Sequence, residues 1–267
     1  MVNFVPSKTV TKILVIAGFD PSGGAGILLD TKIIHYLGGY AFCIPTCLTV
    51  QNTQKVYKTY EINPKYFLKT FEALIKDVDY FDGVKIGALY SKKIIDLIIN
   101  LIITYELKNI ILDPVINPTK GKPLLKKDAF SSLLQLISLC SVITPNIPEA
   151  EFLSGIKIKS LDDMEFSLLK IRDKFNIKNI ILKGGHLAIG NEVYDLLYTE
   201  DKIISFKKEY LKNKHIHGTG CLFSSILTFF LAQNLSIEKA FYETENNFNK
   251  FIKKAIKISK GQYVINL

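Results

Sequence analysis

In the run His217-Gly218-Thr219-Gly220-Cys221, two glycines bracket a hydroxyl residue, and an apolar stretch (Leu222, Phe223, Ile226, Leu227, Phe230) follows at once. This spacing predicts a loop that turns into a helix. The first amides of a helix have no partner inside it and point outward at the positive end of its dipole. Such an end binds anions, phosphate above all. Cys221 lies on the same turn, where the dipole is expected to lower a thiol pKa. A phosphate cradle beside a base implies phosphoryl transfer. A helix start that uses glycine only for its geometry is the structural alternative.

The other chemically useful residues follow short apolar runs. Gly18-Phe19-Asp20-Pro21-Ser22-Gly23-Gly24-Ala25-Gly26 follows the first. Gly24 and Ala25 stand where a Walker A loop needs Lys and Ser/Thr, so this is a backbone turn that lets a small ligand come close. Asp30 falls on the inner stripe of the next helix, with Ile27, Ile34 and Leu37. A carboxylate there is costly unless paired; either it reaches water or a lysine, or it receives amine and hydroxyl protons from a ligand. Gln51 offers a donor and an acceptor, which suits the edge of a heterocycle. Asp113 stands at the end of another run, a place for a metal-ordering carboxylate or a loop cap. Asn146 and Glu149 have the spacing of a capping box as well as of ligand residues. Lys183, beside two glycines, is placed to meet a phosphate, whereas His186 reads as structural.

These residues need elements to hold them. Strand-like runs occupy 13–17, 42–50, 83–86, 109–112, 141–144, 179–182 and 193–198, several of them solidly apolar, as strands buried on both faces are. Helical patterns fill 26–37, 64–78, 92–105, 127–139, 161–175, 221–234 and 237–258. The alternation predicts an α/β fold: a mostly parallel central sheet with helices on both faces, in a single domain. Ligands in such sheets bind off the carboxyl ends of the strands, where the candidates fall.

The 267 residues are 48% hydrophobic and 22% charged, enough for one sizeable core. No run reaches the ~20 apolar residues of a membrane span. The first residues lack a secretory pattern, and the four cysteines form no C-x-x-C pair, so a reducing cytoplasmic setting is expected. A net charge of +9 would admit nucleic acid, but the lysines are scattered; the densest groups are 207–214 and 253–260. No nucleic-acid partner and no membrane are expected.

In chain order, Gly18 with Asp20–Gly26, Asp30, Gln51-Asn52-Thr53, Lys85-Ile86-Gly87, Asp113-Pro114-Val115, Ile143–Asn146 with Glu149-Ala150, Lys183–His186 and His217–Cys221 resemble the hydroxymethylpyrimidine/phosphomethylpyrimidine kinases of thiamine biosynthesis. Those kinases are ribokinase-like. The resemblance spans nearly the whole chain and implies one ribokinase-like domain over 1–267. It also implies ATP- and Mg²⁺-dependent phosphorylation of 4-amino-5-hydroxymethyl-2-methylpyrimidine and then of its monophosphate. By the same resemblance, Gly18, Asp30, Gln51 and Val115 form the pyrimidine site. Asp113 and Glu149 order magnesium, while Lys183, Asn146 and Thr219 meet ATP. Gly218, Thr219 and Gly220 make the anion hole, Cys221 is the base, and a homodimer is expected.

Some positions depart from that pattern: Phe19, Ala88, Ile116, Ile216 and the lid-like loop Asn117-Pro118-Thr119-Lys120-Gly121. Pyridoxal kinases are the nearest rival. Gln51, and the absence of cysteine from 116–121, favour the pyrimidine. A non-catalytic pyrimidine binder is the other rival, and the intact set of phosphate-facing residues argues against it.

Overall fold

The computed structural model describes residues 10–118, 121–185, 187–210 and 215–267. The segment 1–9, Thr119 and Lys120 of the lid-like loop, His186, and Lys212 and Lys214 lie outside the described residues. Nine strands form one sheet in the order β3-β2-β1-β4-β5-β6-β7-β8-β9. Its centre is built from the apolar runs: β1 (Lys12–Phe19), β2 (Tyr40–Gln51), β4 (Gly83–Ile86), β5 (Ile110–Leu112), β6 (Val142–Ile143) and β7 (Ile180–Leu182). These six pair in parallel. The expected mostly parallel sheet is therefore what forms.

Both faces are covered, which is why the central strands carry apolar residues in succession rather than at every second position. Ile13, Val15 and Ala17 of β1 pack on the side of α1 (Gly26–Tyr36), α7 (Thr219–Ala232) and α8 (Ile237–Lys253). Leu14 and Ile16 face the other side, toward α2 (Pro64–Val78), α3 (Lys92–Thr104), α4 (Phe130–Ile137), α5 (Ile147–Ser154) and α6 (Leu161–Phe175). Helix α8 stops at Lys253 rather than running to 258, because Ile256 leaves the helix to pair with Val264.

Two antiparallel strands close the edges and carry no mark in the sequence reading. β3 (Val56–Glu61) folds back on β2, and β9 (Lys202–Glu209) folds back on β8 (Glu192–Thr199). The β8–β9 turn uses Glu200 and Asp201, both at positive φ (45° and 58°). That is the geometry of a tight two-residue hairpin made without its usual glycine or asparagine.

A stair of backbone hydrogen bonds carries the site residues along one edge of the sheet. Gly87 donates to Ile16, Asp113 to Ile86, Thr144 to Leu112 and Lys183 to Pro145. Each step places the residue just beyond a strand at the same level as its neighbour. The candidates after β4, β5, β6 and β7 therefore converge.

Candidate active site

A cleft of ≈ 1050 Å³ opens over these strand ends. Gly18, Gln51, Asp113, Val115, Asn146, Glu149, Lys183 and the turn His217–Cys221 all line it. Asp30 does not.

The glycines of the first loop and of the last turn make each other's conformation possible. Gly218 caps α7 in the left-handed region at φ 78°, and a Cβ there would lie 2.0 Å from the Gly24 carbonyl oxygen. Gly24 gives room in turn to the His217 ring, 2.5 Å from where its Cβ would stand. The first helical bond of α7 runs from the Leu222 amide to Gly218. The amides of Thr219, Gly220 and Cys221 thus have no acceptor inside the helix and form the anion-binding end that the motif predicts. Gly218→Ala is expected to cost stability as well as activity, through a strained φ worth about 1–3 kcal/mol and the clash with Gly24. A thermal midpoint within 1–2 °C of the parent would show that the two loops are not locked in this way.

Opposite that turn lies a charged trio. Lys183 Nζ donates to Asp113 Oδ1 at 2.8 Å, and the Thr144 hydroxyl reaches the same oxygen at 3.4 Å. Burial opposes the charge on Lys183, but Asp113 and Glu149 outweigh it and hold the ammonium above its usual range. A Cβ on Gly220 would stand 2.9 Å from Asp113 Oδ2 and 3.4 Å from Lys183 Nζ. The missing side chain keeps a small space open between the anion-binding amides and the trio.

Asn146 and Glu149 form a full capping box at the start of α5. The Asn146 side chain accepts from the Glu149 amide at 3.0 Å, and Glu149 Oε2 accepts from the Asn146 amide at 2.9 Å. Both still line the cleft, so the structural and ligand-facing readings of this pair hold together. Burial pushes the Glu149 carboxyl up to about 8; the Lys183 charge pulls it down, and Asp113 adds to the rise.

One expectation needs correction, and one pair of alternatives gains a partner. The Cys221 thiol is not lowered by the helix end: burial pushes it up to about 12, with Lys85 and the Gly26 amide pulling only weakly the other way. The dipole favours a thiolate, but the packed turn removes the water that would solvate it. Asp30 is fully buried behind the cleft, where Lys85 Nζ donates to Oδ2 at 2.8 Å and the Ser225 hydroxyl donates to Oδ1 at 2.8 Å. Its partner is a lysine of β4, the paired alternative, rather than an open ligand site.

Three polar residues at or beside the cleft went unassigned in the sequence reading. Lys85 is the first, and it was legible: a lysine inside the solid apolar run of β4 is as costly as Asp30 on an apolar stripe. Asp20 and His217 are the others, joined by a 2.7 Å bond from His217 Nε2 to Asp20 Oδ2. Burial works against the Asp20 charge, but the His217 and Ser22 bonds outweigh it and hold the carboxyl below its usual range. An ionised Asp20 only accepts, so Nε2 carries the proton. The Gln51 side-chain amide lies 3.0 Å from the same nitrogen.

Among the described residues, no group of three or more acid, His or Cys side chains could hold a metal without help. Asp113 and Glu149 suit a cation that keeps several waters and takes its remaining ligands from substrate phosphates, as Mg²⁺ does. Both side chains line the cleft, which leaves room for that use.

The chain matches the family model described as phosphomethylpyrimidine kinase over residues 20–266. It is 36% identical to the hydroxymethylpyrimidine/phosphomethylpyrimidine kinase of Aquifex aeolicus over 95% of this chain and 98% of that one. The Bacillus subtilis protein of the same name is 33% identical over 95% and 93%. Among solved structures, phosphomethylpyrimidine kinase from Clostridium difficile superposes with a TM-score of 0.78 at 34% identity, covering 90% and 98%. The ADP complex of Bacillus subtilis pyridoxal kinase superposes with a TM-score of 0.86 at 28% identity, covering 97% of each chain. The fold is therefore the ribokinase-like one shared by both kinases, and the chain belongs to the phosphomethylpyrimidine kinase family.

Proposed function

We propose that this chain, acting as a single domain, uses ATP to phosphorylate 4-amino-5-hydroxymethyl-2-methylpyrimidine and then its monophosphate, a step of thiamine biosynthesis. One observation carries the reading: the outward amides of the Gly218–Cys221 turn face the Lys183–Asp113 pair across the space left by Gly220. Phosphoryl transfer asks a protein mainly for positioning and charge neutralisation, and this arrangement offers both.

In this reading the turn amides receive the transferring phosphoryl group and Lys183 neutralises its oxygens. Asn146 and Thr219 border the nucleotide. Gly18 and Val115 bound the pyrimidine, and Gln51 offers an amide N–H to a ring nitrogen. Asp113 and Glu149 would hold Mg²⁺, which supplies further neutralisation of phosphate charge. Cys221 would take the alcohol proton late. Its raised pKa keeps it a thiol in the free protein, so its share of the rate is small. Cys221→Ala should retain turnover, with kcat down about a hundredfold, the low end of general-base contributions. A loss beyond about 10⁴ would make the thiol central instead.

The raised Glu149 gives a second expected result. At pH 7 it is mostly protonated, yet a carboxylate is needed to hold a cation. Binding of preformed Mg–ADP should then release close to one proton at pH 7, fading as the pH rises through about 8. Calorimetry in buffers of different ionisation enthalpy reads this. Glu149→Gln should abolish the release; release that is unchanged in the variant places the proton elsewhere.

The direct test is ADP release with hydroxymethylpyrimidine, its monophosphate and pyridoxal, alongside Gln51→Met. Turnover on both pyrimidines, lost in the variant more than turnover on pyridoxal, supports the reading. Turnover on pyridoxal alone supports the rival, which the superposition with pyridoxal kinases favours. The same reading includes a homodimer, on the family resemblance alone. It includes no nucleic-acid partner, because the lysines are scattered. It includes a cytoplasmic setting, on the family resemblance; among the described residues, no helix is long and apolar enough to cross a membrane.

A further inference from the structure

A second cluster of charge lies beyond Lys183, and the chemistry above does not use it. Lys208 of β9 donates to Asp195 Oδ2 of β8 at 2.6 Å and to Glu245 Oε2 of α8 at 2.9 Å. The three side chains are 11%, 2% and 0% exposed. Two acids share one ammonium in the interior, a costly arrangement that apolar residues could replace. Burial, then the Asp195 charge, pushes Glu245 well above the carboxylate range, which relieves the excess of negative charge.

The remaining oxygen of Asp195 shows what the cluster does. Oδ1 accepts the amide of Gly184 at 2.8 Å. Gly184 directly follows Lys183, and a Cβ on it would stand 2.0 Å from the Tyr194 carbonyl oxygen, so this turn lies hard against β8. Lys208 also stands over the Phe248 ring at 4.7 Å, and Phe223, Phe248 and Gly185 line the same end of the cleft. Asp195 therefore joins the backbone beside Lys183 to an apolar wall through one charged network.

We propose that Asp195 is a positioning residue for the nucleotide: it fixes the Lys183-Gly184-Gly185 turn, and Lys208 and Glu245 fix Asp195. The nucleotide side of this inference rests on the kinase reading above. Asp195→Ala frees the Gly184 amide, while Asp195→Asn keeps an acceptor there. Asp195→Ala should weaken Mg–ADP binding and raise the KM for ATP by about tenfold or more, the size of a lost charge-assisted hydrogen bond. The KM for the pyrimidine should stay within about twofold, since that site lies across the cleft. Asp195→Asn should recover most of the nucleotide affinity. Lys208→Met, which leaves Asp195 in place but unheld, should fall between the two.

The experiment is ADP calorimetry and steady-state kinetics on the full chain, with thermal midpoints for each variant. An Asp195→Ala protein that is folded and has unchanged ADP affinity, or equal rises in both KM values, overturns the positioning role while leaving the kinase reading intact. If Asp195→Ala does not fold, Asp195→Asn and Lys208→Met decide: ADP affinity unchanged in Lys208→Met, or lost in a folded Asp195→Asn, overturns the role. A parent protein that binds no ADP overturns both readings.

Discussion

Asp30→Ala will lower folding stability by about 3–5 kcal/mol, the cost of stranding one partner of a buried ion pair. In a chain of this size, that is a fall in the thermal midpoint on the order of 10 °C. The cause is Lys85, fully buried and 2.8 Å from Asp30. Burial disfavours its charge, but Asp30 first, with help from Asp113, holds the ammonium above its usual range. Without Asp30 that charge has no direct counterion. A Cβ on Gly87 would lie 2.8 Å from Nζ, so the lysine has little room to move away.

The double replacement Asp30→Leu with Lys85→Met should recover most of the loss, because an apolar pair avoids the desolvation that both charges pay. The pair also joins α1, β4 and, through Ser225, the first turns of α7. Activity in the double variant then asks whether the charges themselves matter beneath the anion-binding turn. If Asp30→Ala instead keeps its midpoint and only raises the KM for the pyrimidine, the carboxylate meets the ligand, as the family resemblance implies.

Asp30 also shows how far the sequence can be read. An acid on the stripe of Ile27 and Ile34 announces a buried charge but does not name its partner, because a lysine and a ligand amine ask for the same carboxylate. The partner lies 55 residues away. The sheet itself was legible, since strands covered on both faces need runs of successive apolar residues, and β1, β5 and β7 have them. The edge strands were not. Lys202–Glu209 is polar along much of its length, and the glycine that usually marks a tight turn is replaced by Glu200 and Asp201. The thiol of Cys221 failed for a different reason. A helix end can be read from spacing, but the burial that decides the pKa is set only by how the turn packs in the fold. The Asp195–Lys208–Glu245 cluster has no local pattern, because its members sit on three elements that meet only in the fold.

Gly220→Ala should separate function from stability most sharply. Gly220 sits in the first turn of α7 at an ordinary helical φ, and its neighbours are Asp113 and Lys183 rather than backbone. Alanine is the better helix former by about 1 kcal/mol, which offsets the shift that a Cβ 2.9 Å from Asp113 Oδ2 demands, so the folded state should stay about as stable as before. Gly218→Ala, two residues earlier, destabilises instead, because its φ of 78° and the Gly24 carbonyl leave no place for a Cβ. The new methyl at 220 instead fills the space between the anion-binding amides and the Lys183–Asp113 pair. A transferring phosphoryl group held there would be displaced, and losing one anion-hole contact costs about 10²–10³ in kcat. The expected signature is a kcat down by that factor, a thermal midpoint that does not fall, and pyrimidine binding nearly unchanged. A Gly220→Ala protein with full kcat would place the transfer elsewhere in the cleft and remove the observation on which the kinase chemistry of this turn rests.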